Sequence, residues 1–128
     1  MSHIRLLIVE DHALVRAGMK ALLQKVEGIQ VVADMGDGLE AVKFVQMEAP
    51  DLVLMDIAMP GLNGLDATSR IVKESSTTRV ILLSMYANEE YLSQALQVGA
   101  SGYLLQGAAL AELELAIKTV SRGETYLT

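Results

Sequence analysis

The chain has 128 residues, 52% of them hydrophobic and 20% charged, enough to fill a single core and too apolar for a disordered segment. Ten lysines and arginines against sixteen aspartates and glutamates leave a net charge of −6, and a body that acidic repels nucleic-acid phosphates. With no cysteine there is no disulfide framework, no thiolate metal site and no cysteine nucleophile. No apolar run approaches the roughly 20 residues that span a bilayer. The start, Met1-Ser2-His3-Ile4-Arg5, lacks the basic-then-apolar pattern of a secretion signal. The expected compartment is the cytoplasm, without membrane contact.

Taken in order, Ile4-Arg5-Leu6-Leu7-Ile8-Val9 reads as a strand ended by Glu10-Asp11-His12. Val15, Met19, Leu22, Leu23 and Val26 then recur at helical spacing, and Gly28 is the expected stop. Ile29-Gln30-Val31-Val32-Ala33 is a second strand, and Leu39, Val42, Val45 and Ala49 mark a helix stopped by Pro50. Leu52-Val53-Leu54-Met55 is a third strand, followed by the loop from Asp56 to Gly64, in which Gly61 and Gly64 are expected to supply unusual dihedrals. A helix over 65–74 precedes the strand Val80-Ile81-Leu82-Leu83. Leu92, Ala95, Leu96 and Gly99 mark the next helix, and Gly102-Tyr103-Leu104-Leu105 a short last strand. Leu110, Leu113, Ile117 and Val120 form the face of a final helix with Gly123 at its cap. The first, third and fourth strands are nearly continuous apolar runs, the mark of parallel strands covered on both faces. About five β–α units in one small domain predict a doubly wound α/β sheet.

Ligands of open α/β sheets bind at the carboxyl ends of the strands. There the sequence places Glu10-Asp11, Asp56, Ser84 and Gln106. Three carboxylates at neighbouring strand ends repel one another, and a hard cation removes that conflict. Oxygen donors favour Mg²⁺ or Mn²⁺ over zinc. Glu10 and Asp11 alone are equally well read as caps of the helix that follows, and His12 as its first residue. Asp56 in register at the next strand end tilts the reading towards metal. An aspartate at such a tip can attack a phosphoryl group. A haloacid-dehalogenase-type enzyme would need a second acid two residues later, where Ala58 stands.

The segments Val9-Glu10-Asp11-His12, Leu54 to Gly64, Leu83-Ser84-Met85 and Gly99-Ala100-Ser101-Gly102-Tyr103-Leu104-Leu105 together resemble a two-component response-regulator receiver domain. The wording around Ser84-Met85-Tyr86 and Gly99–Leu105 resembles the NarL/FixJ subfamily in particular, and the likeness runs from Ile4 to Gly123. The resemblance implies a flavodoxin-like, five-stranded parallel sheet of order 2-1-3-4-5 over residues 1–128. It implies Asp56 as phosphoacceptor from a sensor histidine kinase, with autodephosphorylation rather than turnover of a small molecule. Asp11 and Asp56 would ligate Mg²⁺ (or Mn²⁺) directly, with Glu10 acting through water and the Ala58 carbonyl completing the set. Ser84 would be the switch hydroxyl and Tyr103 the switch aromatic. Receivers of this kind form homodimers on activation and precede a helix-turn-helix output domain. DNA contact and transcription control would then belong to a C-terminal domain outside this chain, and the end at Thr128 reads as an excised receiver.

One position departs from the pattern. The family carries a lysine after the fifth strand, where its ammonium grips a phosphoryl oxygen; this chain has Gln106. Exchanging a charged donor for a neutral one weakens the coupling of phosphorylation to conformation by about 1–2 kcal/mol. The competing reading is therefore a phosphorylation-independent interaction or dimerisation module. Retention of three clustered carboxylates argues against it.

Overall fold

A computed structural model describes residues 3–85 and 89–127. Among these, strands and helices alternate: β1 (Ile4–Val9), α1 (Ala13–Leu23), β2 (Ile29–Met35), α2 (Gly38–Glu48), β3 (Leu52–Asp56), α3 (Gly64–Glu74), β4 (Arg79–Ser84), α4 (Glu89–Gln97), β5 (Gly102–Leu105), α5 (Leu110–Ser121) and β6 (Tyr126–Leu127). The sheet is parallel throughout, in the order β2-β1-β3-β4-β5-β6. It is the expected doubly wound arrangement with one more strand at the β5 edge.

The apolar runs are continuous because each strand feeds two cores. Leu7, Val9, Val53, Met55, Val80 and Leu82 face α2, α3 and α4. Leu6, Ile8, Leu52, Leu54, Ile81 and Leu83 face α1 and α5. Side chains alternate across a strand, so a polar residue anywhere in these runs would enter one core or the other. Each large aliphatic side chain buried this way contributes about 1.5–3 kcal/mol, which makes the central strands a rigid platform for whatever stands at their tips.

Local chemistry sets the boundaries. Asp37 and Asn63 cap α2 and α3, their side chains accepting from Leu39 N and Asp66 N. Pro50 cannot continue α2, and Ala49 before it ends the helix at φ 42. Gly123 (φ +95) follows α5; its amide donates to the Val120 carbonyl and that of Glu124 to Thr119, a Schellman closure. Helix α1 stops earlier than its periodicity suggests, at Leu23 rather than through Val26. Residues 24–27 turn instead, and the Gly28 carbonyl (φ +88) accepts from Ile4 N at the start of β1. Strand β2 runs two residues past Ala33, because Asp34 and Met35 pair with Ile8 and Val9. Of the α1 face, Leu23 is buried while Val15 and Leu22 are exposed.

Candidate functional site: the acidic cluster at the strand tips

Chain order reverses between β1 and β3, and the crevice at that switch point opens at the carboxyl ends of the strands. Val9 pairs with Met55, so the next residues, Glu10 and Asp56, stand side by side. Carboxylate oxygens of Glu10, Asp11 and Asp56 and an imidazole nitrogen of His12 all lie within 4.8 Å of one another. Glu10 is fully buried and Asp56 is 2% exposed. The Asp56 Oδ1 accepts from Ala58 N at 3.3 Å. Glu10 Oε2 accepts from His12 N at 3.0 Å and also faces His12 Nδ1 at 3.0 Å. His12 stands at the N-cap position just before α1 rather than as its first residue, without a side-chain cap bond, and its ring turns back onto the cluster.

The charges are unequally held. Burial pushes the Glu10 carboxyl up, but the hydrogen bonds from the His12 amide and ring outweigh it, leaving Glu10 below the usual carboxylate range. Burial, with ionised Glu10 beside it, pushes Asp56 up to about 7. Glu10 and Asp11 in turn raise the His12 imidazole above its ordinary value. Asp11 Oδ1 is buried and, among the described residues, accepts no hydrogen bond. His12 Nδ1 lies 3.3 Å from this oxygen, and a buried carboxylate oxygen that accepts no hydrogen bond, beside two further carboxylates, is the donor set a hard divalent cation takes.

The other expected site residues lie around this cluster. Asp56 pairs with Leu83, so Ser84 stands one step further out on β4, 3% exposed. Alternation puts Ser84 on the same face as Leu82, whose β5 partner is Tyr103, and Tyr103 is 3% exposed in the core beneath α2, α3 and α4. Tyr86 lies outside the described residues. Gln106 closes β5: its backbone N–H donates to the Ser84 carbonyl at 2.7 Å, and its Nε2 donates to Glu10 Oε1 at 2.6 Å. Its amide thus engages a carboxylate of the cluster.

Gly64 corrects an expectation. Its backbone is not in the positive-φ region, as that of Gly61 is (φ +74); instead a Cβ there would stand 2.2 Å from the Asp56 carbonyl oxygen. It is glycine because α3 begins against the backbone of Asp56 itself. Arg16 was not singled out by the sequence. Its Nη1 donates to the Glu10 carbonyl at 2.8 Å and its Nε to Asp34 Oδ2 at 3.1 Å, pinning the loop that carries Glu10 and Asp11 to β2. A Cβ on Gly36 would sit 2.5 Å from that Nη1. The signal available was an aspartate just past an apolar run, with an arginine one α1 turn from His12.

Residues 6–118 match the family model of the response regulator receiver domain. The chain belongs to that family. The receiver is 40% identical over 124 residues to the response regulator UvrY of Escherichia coli (strain K12), covering 97% of this chain and 57% of that protein. It is 44% identical to the oxygen regulatory protein NreC of Staphylococcus haemolyticus (strain JCSC1435), covering 96% and 57%. A two-component response regulator of the LuxR family from Aurantimonas sp. SI85-9A1 superposes with a TM-score of 0.92 at 33% identity, over 98% of this receiver and 89% of that chain. The receiver therefore spans just over half the length of the curated relatives it matches. Receiver domains hold Mg²⁺ in an acidic pocket, and Glu10, Asp11 and Asp56 form such a pocket here.

Proposed function

We propose that the domain accepts a phosphoryl group onto Asp56 from a phosphohistidine of a sensor kinase. The observation that carries this reading is a buried aspartate at a strand tip, set among carboxylates of which one oxygen has no hydrogen-bond partner. An Asp56 carboxylate oxygen forms a bond to phosphorus, the phosphorus–nitrogen bond to the donor imidazole breaks, and the imidazole leaves with a proton. Asp11 and Asp56 would hold Mg²⁺, with Glu10 behind them and the Ala58 carbonyl alongside. The ion supplies charge neutralisation to the incoming phosphoryl oxygens. Arg16 keeps the β1–α1 loop in place, and the Ala58 N–H steadies the Asp56 carboxylate that is to attack. Ser84 and Tyr103 would pass the change on, through the hydroxyl at the tip of β4 and the aromatic on the adjoining strand.

In the parent protein this receiver would control a C-terminal DNA-binding domain and hence transcription, in the cytoplasm, with homodimerisation on activation. The relatives' greater length supports that reading. The second reading, a phosphorylation-independent interaction module, draws on Gln106, whose neutral amide is engaged by Glu10. Incubation with acetyl phosphate and Mg²⁺, followed by intact mass, separates the two. One phosphoryl adduct on the wild type and none on Asp56→Asn is expected. An unmodified wild type, or an adduct that persists in the variant, would overturn the assignment.

A further inference from the structure

Glu10 is held from two sides. The His12 backbone N–H donates to Oε2 at 3.0 Å, and the Gln106 amide donates to Oε1 at 2.6 Å across 96 residues of sequence. On one side Gln106 borders an apolar hollow. It is the one polar side chain, among the described residues, lining a hollow of about 160 Å³ between α1 and the β5–α5 loop, with Met19, Leu23, Leu83, Leu105 and Leu113 as its walls. Gly107 (φ +89) turns the chain immediately afterwards, and the Gln106 backbone N–H is fixed on Ser84. The amide is therefore tethered at its base and flanked by hydrocarbon, and Glu10 is the partner it has. A hydrogen bond to a carboxylate in such surroundings is short and directional.

A neutral amide holds a carboxylate without cancelling its charge. Of the cations near the loop, Arg16 and Lys20 both pair with Asp34, and Arg16 reaches the Glu10 backbone carbonyl rather than its carboxylate. The charge-capable neighbour of Glu10, His12, is 66% exposed. We propose that Gln106 is a positioning residue that fixes Glu10 for divalent-cation binding without adding a positive charge of its own beside the ion. This rests on the divalent-site reading above, and it gives the resting receiver a tighter grip on Mg²⁺ than a cationic side chain at position 106 would allow. A unit positive charge beside Glu10, in a partly hydrated pocket, lowers cation affinity on the order of tenfold.

Two variants separate position from charge. Gln106→Met keeps the approximate shape and removes the donor; Gln106→Lys keeps a donor and adds a charge. Mg²⁺ alone is titrated into the wild type and both variants, followed by the amide shifts of Asp11 and Asp56, at two ionic strengths. Urea unfolding in EDTA checks that each is folded. Gln106→Met is expected to weaken Mg²⁺ severalfold with an unaltered salt dependence. Gln106→Lys is expected to weaken it about tenfold, with a deficit that shrinks as salt screens the added charge. A wild type that binds Mg²⁺ while both variants match it overturns this inference alone, as does a lysine variant that binds more tightly. A wild type that does not respond to Mg²⁺ overturns the divalent-site reading and the inference with it.

Discussion

Asp56 carries the clearest conflict in the molecule, since it is buried beside another carboxylate and is pushed from 3.8 up to about 7. A carboxyl whose pKa is raised on folding favours the folded state below its unfolded value and loses that advantage as pH climbs to the folded value. Glu10 works in the opposite sense: its stabilising share is present above its ordinary value of 4.5 and disappears as pH falls through its lowered one. Between about pH 4 and pH 7 the Asp56 effect therefore dominates, and the metal-free receiver should lose stability across that window. Asp56→Asn removes the conflict and should be about 1–3 kcal/mol more stable than the wild type at pH 7.5 in EDTA, with little difference at pH 4. Urea midpoints at the two pH values check this; an Asn variant less stable at pH 7.5 would contradict it. Saturating Mg²⁺ should close the gap from the wild-type side, because an ion that binds only the folded form stabilises it by mass action.

Among the elements, α3 packs closest against Asp56. Asn63 caps it through Asp66 N, and Gly64 brings its first turn against the Asp56 carbonyl. The two contacts can be separated. Asn63→Ala should cost about 1 kcal/mol of stability, the usual worth of a cap, while Mg²⁺ still binds. Gly64→Ala drives a methyl into backbone, so either α3 or the tip of β3 must move. The expected cost is about 1–3 kcal/mol together with a clear fall in the rate of phosphorylation by acetyl phosphate. Stability curves and adduct yield measured on both variants decide it. A Gly64→Ala protein phosphorylated at the wild-type rate would show that Asp56 does not depend on this approach.

Across the whole molecule, the sheet separates the acidic cluster from the C-terminal edge. The carboxylates gather at the carboxyl ends of β1 and β3, while β6 pairs with the opening residues of β5, Gly102 and Tyr103. Tyr126 N donates to the Ser101 carbonyl at 3.0 Å, and Tyr126 Oη donates to Glu112 on α5 at 3.1 Å. Removing residues 124–128 should cost on the order of 1–2 kcal/mol, since a few partly exposed hydrogen bonds and one aromatic contact are lost. Mg²⁺ affinity should be unchanged, which a titration of the truncated chain would verify. A large fall in affinity would mean that the β5 edge and the acidic cluster communicate.

Sequence alone determined the layers and the position of the cluster. Apolar runs without alternation require strands covered on both faces, and in a parallel sheet the residue after each run is carried to the same end. Glu10-Asp11 and Asp56 were bound to meet for that reason. The tertiary structure decided what sequence spacing cannot express. Periodicity reports which face is buried, but a side chain's rotamer and partner depend on groups distant along the chain. Gln106 donates to a carboxylate 96 residues away, and Gly64 is required by a carbonyl oxygen eight positions upstream rather than by its own dihedrals. Arg16 grips the loop only because β2 brings Asp34 beside it. The two residues of β6 carry no period to read; they form a strand because the edge of β5 offers them backbone partners.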